Sequence, residues 1–281
     1  MRYLVTTILF LASVVTASAQ QKPVGFYSPG MSPSPAGVAF GTIGEQVSNH
    51  EIELAYQKSV STGFVWILQV GYFDHPLTSA TIIGERNNIK FQKLLPYIEA
   101  VALGEEWYEH FRGNRYAIFG FPSDFPNGVE LIHIWLGIQH ARLKQVMGKP
   151  VIWITNVVYS QQPVPDNTDY VAIDAYSADD EDFSWVIRRL LYAEIATHHK
   201  LIFIVRFFKT TGPKQGGDWQ RYSKDPIKET VDLAFQVLKR DRYVALLPFL
   251  WESRPGADLV GLKDMPELRE YFFEQLRLQN K

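Results

Sequence analysis

Two adjacent glutamates at the end of an apolar run are the strongest chemical signal in this sequence. Glu105 and Glu106 close a segment that begins at Tyr97, and the aromatic residues Trp107 and Tyr108 follow directly. Carboxylates at the mouth of a buried strand can transfer protons, and rings beside them offer a flat surface on which a sugar stacks. This combination is typical of sites that cleave glycosidic bonds.

Short apolar runs alternate with helical patterns along the chain, and each run is apolar on both faces. This alternation predicts repeated β–α units around a parallel sheet. The predicted strands cover residues 24–27, 64–70, 97–103, 151–155, 170–173, 201–207 and 243–250. An eighth strand is needed to close a barrel, and residues 38–42 are the best candidate for strand 2. The predicted fold is therefore α/β, a single-domain (β/α)8 TIM barrel.

Helical patterns fill the intervals between these runs. The predicted helices cover residues 45–61, 88–95, 129–147, 183–199, 226–240 and 266–278. Asp225 and Pro226 fit the N-cap and first position of one helix, and Gly148 fits the end of another. The tryptophans inside apolar runs, Trp66, Trp153 and Trp185, are expected in the core.

Composition excludes several classes of function. The chain has no cysteine, which rules out disulfides, thiol catalysis and iron–sulfur clusters. A formal charge of -2 gives no broad electrostatic footprint for nucleic acid. Nucleotide-binding glycine motifs and the G-x-S-x-G elbow are absent from the sequence. His133 and His140 lie seven residues apart and lack the four-residue spacing of a zinc signature, so neither a metal nor another cofactor is predicted.

The first residues predict export. Arg2 precedes an apolar run over residues 3–15, and Ala17-Ser18-Ala19 has the pattern of a signal-peptidase site. The predicted organisation is a signal peptide over 1–19 and a barrel over 20–281, located outside the cell or in the periplasm. An uncleaved N-terminal anchor is the alternative. No later run approaches about 20 uncharged apolar residues, so no stable membrane insertion is expected after cleavage.

The strand ends resemble those of the retaining clan of (β/α)8 glycoside hydrolases, and more closely its poorly characterised bacterial branches. The resemblance covers residues 97–252 best and rests on the segments LGEEW, KPVIWITN, DYVAIDAY and PFLWES. In that clan, strand 4 ends in an Asn-Glu-Pro or Asp-Glu-Pro triplet whose glutamate is the acid/base. The resemblance assigns this role to Glu106, or to Glu105 if the alignment shifts by one residue. The clan's nucleophilic glutamate ends strand 7, where this sequence reads LIFIVRFFK and carries no carboxylate.

Other acidic residues are candidates for the second carboxylate. Asp174 ends strand 6, Glu252 follows strand 8, and Asp218 is a weaker third candidate. Glu252 is favoured because its neighbour Trp251 can form the floor of a sugar site. Arg206 is a candidate for keeping one carboxylate ionised. The candidate sugar-binding residues share positions at strand ends, and they are Tyr27, Gln69, Trp107, Asn156, Tyr176, Arg206 and Trp251.

The predicted function is that of a secreted glycoside hydrolase-like protein which cleaves O-glycosidic bonds of a poly- or oligosaccharide by carboxylate acid/base catalysis. A barrel that binds glycan without turnover, its activity lost with the strand-7 glutamate, is the alternative. The acidic pair also fits a solvated strand end, Asp174 a structural hydrogen-bond acceptor, and Glu252 an ion-pair partner of Arg254 or Arg206. The sugar, the linkage and the oligomeric state stay open.

Overall fold

Eight parallel strands close into a (β/α)8 barrel in sequence order, as predicted. The computed structural model describes residues 22–27, 36–70, 80–105, 128–155, 164–176, 184–211, 226–254 and 258–279. The barrel strands are β1 (Val24–Phe26), β2 (Val38–Gly44), β3 (Val65–Val70), β4 (Ile98–Glu105), β5 (Val151–Thr155), β6 (Tyr170–Ala175), β7 (Lys200–Arg206) and β9 (Tyr243–Phe249). The weak second strand is confirmed. Two short strands outside the barrel, β8 (Phe208–Thr210) and β10 (Leu259–Gly261), pair antiparallel.

Six α-helices lie within the described ranges. They are α1 (Asn49–Thr62), α2 (Ala80–Lys90), α3 (Gly128–Met147), α4 (Ser184–Ala196), α5 (Lys228–Leu238) and α6 (Pro266–Gln279). Four of the predicted helices are confirmed to within a few residues at each end. None of the helices in this part of the chain is both long and apolar enough to cross a membrane.

One predicted helix start is wrong for a local reason. The helix expected from Glu45 starts at Asn49 instead, because Ser48 and Glu51 form a capping box. The Ser48 hydroxyl accepts from the backbone N–H of Glu51 at 3.2 Å, and the Glu51 carboxylate accepts from the backbone N–H of Ser48 at 2.7 Å. The helix expected to have Pro226 as its first residue starts two residues later, at Lys228, with Ile227 as its N-cap and no side-chain cap.

The helix predicted over residues 88–95 is also wrong, because α2 runs from Ala80 to Lys90. Gly84 weakens the helical pattern in the sequence, yet it lies inside α2. A Cβ atom at Gly84 would come within 2.9 Å of Val146 Cγ1, so the glycine allows α2 and α3 to pack closely. The contact with α3 therefore explains why a glycine, which disfavours a helix, stands inside α2.

The buried residues form an inner cluster inside the barrel and an outer cluster between the barrel and the helices. Strand residues alternate between these clusters, so that Ile152 and Ile154 of β5 are inner while Val151 and Trp153 are outer. Trp66 and Trp153 are fully buried in the outer cluster, as predicted. The alternation means that a residue's place in its strand determines whether it faces the barrel interior.

The register sorts the inner positions nearest the mouth into two layers, each drawn from alternate strands. The lower layer consists of Tyr27, Gln69, Ile154 and Ile204, and the upper layer consists of Gly44, Glu105, Asp174 and Phe249. Each residue of the upper layer pairs with a residue of the lower layer on the neighbouring strand. The four pairs are Tyr27 with Phe249, Gly44 with Gln69, Glu105 with Ile154, and Asp174 with Ile204. Two acidic positions thus share the upper layer.

Candidate active site at the barrel mouth

A β-bulge at the end of β4 brings position 105 into the upper layer. Ala102 pairs with Ile152, whereas Glu105 pairs with Ile154, so that β4 advances by three residues while β5 advances by two. Without the extra residue, Gly104 would stand opposite Ile154. The predicted site residues Glu106, Trp107 and Asn156, and the alternative Asp218, lie outside the described residues.

Asp174 reaches the same layer from β6. Ala172 belongs to the inner cluster and Tyr176 packs against it, so the alternation directs Asp174 into the barrel as well. The Asp174 side chain is half-buried. Strand β5 separates position 105 from Asp174, and two strand spacings put the two backbones about 10 Å apart.

Tyr27 and Gln69 meet directly in the lower layer. The Gln69 side-chain amide donates a hydrogen bond to the Tyr27 hydroxyl, and both residues are buried. The backbone carbonyl of Gln69 accepts a hydrogen bond from the backbone N–H of Glu45 at 3.0 Å, which connects the end of β2 to β3. These two predicted sugar-binding residues therefore form a polar base beneath the upper layer.

Glu45 is a buried carboxylate at the end of β2 that the sequence interpretation assigned to a helix. It is 7% exposed and accepts hydrogen bonds from Arg86 Nη2 at 2.7 Å and Asn87 Nδ2 at 3.0 Å. The Lys90 ammonium group donates to the Glu45 backbone carbonyl. Glu45 thus anchors α2 to the rim of the barrel. Its position directly after an apolar strand was the available sequence signal.

Arg206 places a cation where the resemblance expects the nucleophilic glutamate. It is the last residue of β7, is 4% exposed and pairs with the inner residue Phe249. Its Nε donates to the backbone carbonyl of Phe208 at 3.0 Å, and its guanidinium carbon lies 5.8 Å from the centre of the Phe208 ring. The backbone of β8 therefore fixes the orientation of this guanidinium group.

Aromatic rings line the same side of the mouth. The ring centroids of Tyr176 and Phe208 are 5.5 Å apart, those of Phe208 and Phe249 are 5.2 Å apart, and those of Tyr27 and Phe249 are 5.0 Å apart. Phe208 and Phe249 were missed as site residues. Their inner position follows from two-residue alternation, which links Phe208 to Arg206 and Phe249 to Leu247.

Trp251 and Glu252 lie on the outer side of the barrel. The Trp251 ring packs 5.0 Å from Phe26 and 6.0 Å from Phe273 of α6, between centroids. The Glu252 carboxylate is 3.4 Å from Lys263 Nζ. The expectation that Trp251 forms a floor at the mouth beside Glu252 is therefore wrong, because the chain leaves the barrel after Phe249.

The influence of Glu252 on Lys58 of α1 also places Glu252 on the outer side of the barrel. Its ammonium group lies 4.2 Å from the Phe64 ring centroid, and burial lowers the pKa of Lys58 to about 8. The Glu252 carboxylate opposes this lowering, so its charge acts on a residue of the outer layer.

Among the described residues, the mouth thus combines an acid, a cation and a group of rings. Asp174 and Arg206 supply opposite charges, Gln69 supplies an amide, and position 105 shares the layer of Asp174. Across the residues that the structure describes, no group of three or more histidine or acidic side chains has the geometry of a metal site.

No protein-family model and no curated protein sequence matches this chain. A glycoside hydrolase family 2 β-galacturonidase from Eisenbergiella tayi, solved with galacturonate, has a TM-score of 0.50 at 11% identity over 84% of this chain and 45% of its own. A glycoside hydrolase family 17 β-1,3-glucanosyltransferase from Rhizomucor miehei has a TM-score of 0.50 at 12% identity over 88% of this chain and 92% of its own.

A D-tagatose 3-epimerase-like protein has a TM-score of 0.47 at 9% identity, over 92% of this chain and 98% of its own. The alignment with this chain covers less than half of the length of the galacturonidase and most of the length of the glucanosyltransferase. At such identities, the likeness to the galacturonidase and the glucanosyltransferase establishes the shared barrel fold.

Proposed function

We propose that this protein is a glycoside hydrolase-like enzyme that cleaves an O-glycosidic bond of a poly- or oligosaccharide. The observation that carries the proposal is the common layer of position 105 and Asp174 at the barrel mouth, where TIM-barrel enzymes hold their active sites. The barrel is shared with a β-galacturonidase and a β-1,3-glucanosyltransferase, which is consistent with a carbohydrate substrate.

In the proposed mechanism, Glu105 is the general acid/base and Asp174 is the second carboxylate. Glu105 protonates the leaving glycosidic oxygen and then activates water, while Asp174 stabilises or traps the oxocarbenium-like centre. Backbones about 10 Å apart suit the carboxylate separations of glycosidases. A separation of about 5 to 5.5 Å predicts retention of configuration, and about 6.5 to 9.5 Å predicts inversion.

The bulge supports Glu105 over Glu106 as the acid/base. The register pairs Glu105 with the inner residue Ile154, whereas Glu106 lies outside the described residues. The half-buried ring of Tyr176, supported by the buried Phe208, supplies the stacking surface that the sequence interpretation assigned to tryptophans. Residues 1–19, outside the described ranges, are proposed to direct export to the periplasm or the medium.

Glu105→Gln and Glu106→Gln test this assignment when each purified variant is assayed beside the wild type against a panel of poly- and oligosaccharides. We expect Glu105→Gln to lower kcat/KM by about 10²- to 10⁴-fold with glycan affinity retained, because it removes the transferable proton. Glu106→Gln is the matched control and should retain activity. Loss in Glu106→Gln alone would reverse the assignment.

The second candidate is a barrel that binds glycan without cleaving it, and the arginine at the end of β7 favours it. Binding of a glycan by the wild type with no turnover, unchanged in Glu105→Gln, would support that candidate and contradict the enzyme. Absence of both binding and turnover across the panel would contradict both functions.

A further inference from the structure

The outer face of α4 is apolar although it is exposed. We propose that this face binds the same face of a second copy of the chain, so that the protein forms a two-fold symmetric homodimer through α4. The proposal concerns assembly and does not depend on the proposed function.

Helix α4 carries apolar residues on both of its sides. Its inner side contributes three residues to the outer core cluster, namely Val186, Leu190 and Ala193. Its outer side carries four large apolar residues that are between 39% and 82% exposed, namely Ile187, Leu191, Tyr192 and Ile195. A helix that is apolar all round is typical of a buried element. The outer side of α4 therefore has the composition of an interface rather than of a solvated surface.

Helix α5 shows what a solvated helix of this barrel looks like. Its inner side is apolar as well, with Val231, Ala234 and Phe235 among its buried residues. Its exposed residues are all polar, and they are Lys228, Glu229 and Gln236. The two helices thus differ in the outer side alone, and only α4 has an outer side that gains by being covered.

The spacing of the exposed residues of α4 suits an identical partner. Ile187, Leu191 and Ile195 follow one another at intervals of four, so they form one ridge along the helix with Leu191 at its centre. When two such ridges pack antiparallel about a two-fold axis through Leu191, each Ile187 meets Ile195 of the second copy. The two Leu191 side chains then meet each other at the axis. Each residue of the ridge gains an apolar partner, as an interface between identical surfaces requires.

The charges at the two ends of α4 favour this antiparallel arrangement. Directly before the helix in the sequence, and outside the described residues, four acidic residues stand in succession at 179–182. The exposed residues His198 and Lys200 follow the C-terminal end of the helix. An antiparallel pair brings the acidic end of each helix to the basic end of the other, whereas a parallel pair brings like charges together. The acidic run also disfavours an anionic membrane as the partner.

Sedimentation equilibrium of the purified protein over a range of concentrations tests the dimer. One helix of 13 residues makes an interface at the small end of the known range, so we expect a dissociation constant on the order of 10 μM. Ile195→Glu places a carboxylate opposite Ile187 at both ends of the interface and should raise this constant at least about 10-fold. Ile89→Glu is the matched control, because Ile89 of α2 is 79% exposed and Ile195 is 82% exposed, and it should dimerise as the wild type.

The absence of cysteine from the sequence allows a test of the geometry. Leu191→Cys introduces a single thiol at the proposed axis, where a short bismaleimide should link two copies into a covalent dimer. Leu54→Cys of α1 is the control, because Leu54 and Leu191 are equally exposed, and it should stay largely unlinked. The cysteine pair also provides the test if circular dichroism shows that Ile195→Glu does not fold.

A protein that stays monomeric well above the expected dissociation constant would overturn the proposal. A dimer that Ile195→Glu leaves intact, or equal cross-linking of the two cysteine variants, would overturn it as well, since the interface would then lie elsewhere. Binding of monomeric protein to phosphatidylcholine vesicles, abolished by Ile195→Glu, would show that lipid covers this face instead. None of these measurements uses a glycan, so a failure here leaves the proposed function standing.

Discussion

The ends of β6 and β9 carry similar residues and lead to opposite sides of the barrel wall. Asp174 is the last but one residue of β6 and Tyr176 follows the strand, and both face the interior. β9 is followed by Trp251 and Glu252, which pack against α6 and beside Lys263 on the outer side. An aromatic ring next to an acid therefore does not identify a sugar site by itself.

The difference between the two strand ends lies in the hydrogen-bonded ladder. Asp174 is still in register with Ile204, so the alternation of the strand fixes the direction of its side chain. Glu252 comes three residues after Phe249, the last residue of β9, and its direction depends on how the chain turns. Acids inside the ladder can be assigned to a face from sequence, and acids beyond it cannot.

Asp174→Asn and Glu252→Gln test this comparison with the largest expected effect. We expect Asp174→Asn to lower kcat/KM by about 10²- to 10⁴-fold, because an amide cannot stabilise the developing positive charge as a carboxylate does. Glu252→Gln should leave kcat/KM within about twofold of the wild type, since its carboxylate pairs with Lys263. Both are measured on the best substrate of the glycan panel.

The reverse order of these effects would contradict the comparison. If Glu252→Gln abolishes turnover and Asp174→Asn does not, the second carboxylate comes from the segment after β9. A change in secondary-structure content in either variant, checked by circular dichroism, would identify a folding defect rather than a catalytic one.

Trp251→Ala should reduce stability rather than binding. The buried ring packs between Phe26 and Phe273, so its removal leaves a cavity and should lower the free energy of unfolding by about 3 to 5 kcal/mol. Tyr176→Ala is the comparison variant at the mouth and should weaken glycan binding with a smaller loss of stability, because Tyr176 is only half-buried. Urea unfolding and calorimetric titration measure the two quantities. A loss of glycan affinity in folded Trp251→Ala would show instead that Trp251 contributes to the sugar-binding site.

The barrel was predictable because its strands are short apolar runs at regular spacing, and even the weak strand β2 fitted that spacing. Helix α2 was not predictable in the same way. Gly84 weakens its pattern in the sequence, while in the structure it permits the approach of Val146 from α3. Local propensity cannot report a contact between residues that are far apart in the chain.

The site was predictable in its chemistry and less so in its register. Alternation along β6 and β7 was sufficient to assign Asp174 and Arg206 to the interior. The bulge in β4 decides between Gly104 and Glu105 as the residue opposite Ile154, and no sequence pattern announces an extra residue in a strand. Glu45 was missed for a related reason, since the exact end of β2 depends on pairing with β3.

The two sides of the barrel wall also differ in the charge of their buried titratable groups. His140, on the outer side, provides the test with the smallest expected effect. His140 of α3 is fully buried, and its Nδ1 lies 2.9 Å from the Thr168 hydroxyl. Burial lowers the pKa of His140 to about 3, and the charge of Asp169 opposes this only in part. The outer layer therefore holds a neutral ring, whereas the mouth holds the charged Arg206.

This difference predicts a loss of stability in mild acid. In the unfolded chain His140 takes up a proton near its ordinary pKa of about 6.5, while in the folded protein it stays neutral down to a pH of about 3. The unfolded state binds more protons in this window, so the free energy of unfolding falls as the pH falls through it. From pH 7 to pH 5 we expect this group to contribute a loss of about 2 kcal/mol.

Urea unfolding of the wild type and His140→Gln at both pH values measures this contribution. The variant should be less stable at pH 7 and should lose about 2 kcal/mol less than the wild type on acidification. His50→Gln removes an exposed histidine of α1 and should keep the wild-type pH dependence. If His140→Gln retains the full acid sensitivity, the acid-labile groups lie elsewhere, and the outer layer tolerates a charge at His140 as the mouth tolerates one at Arg206.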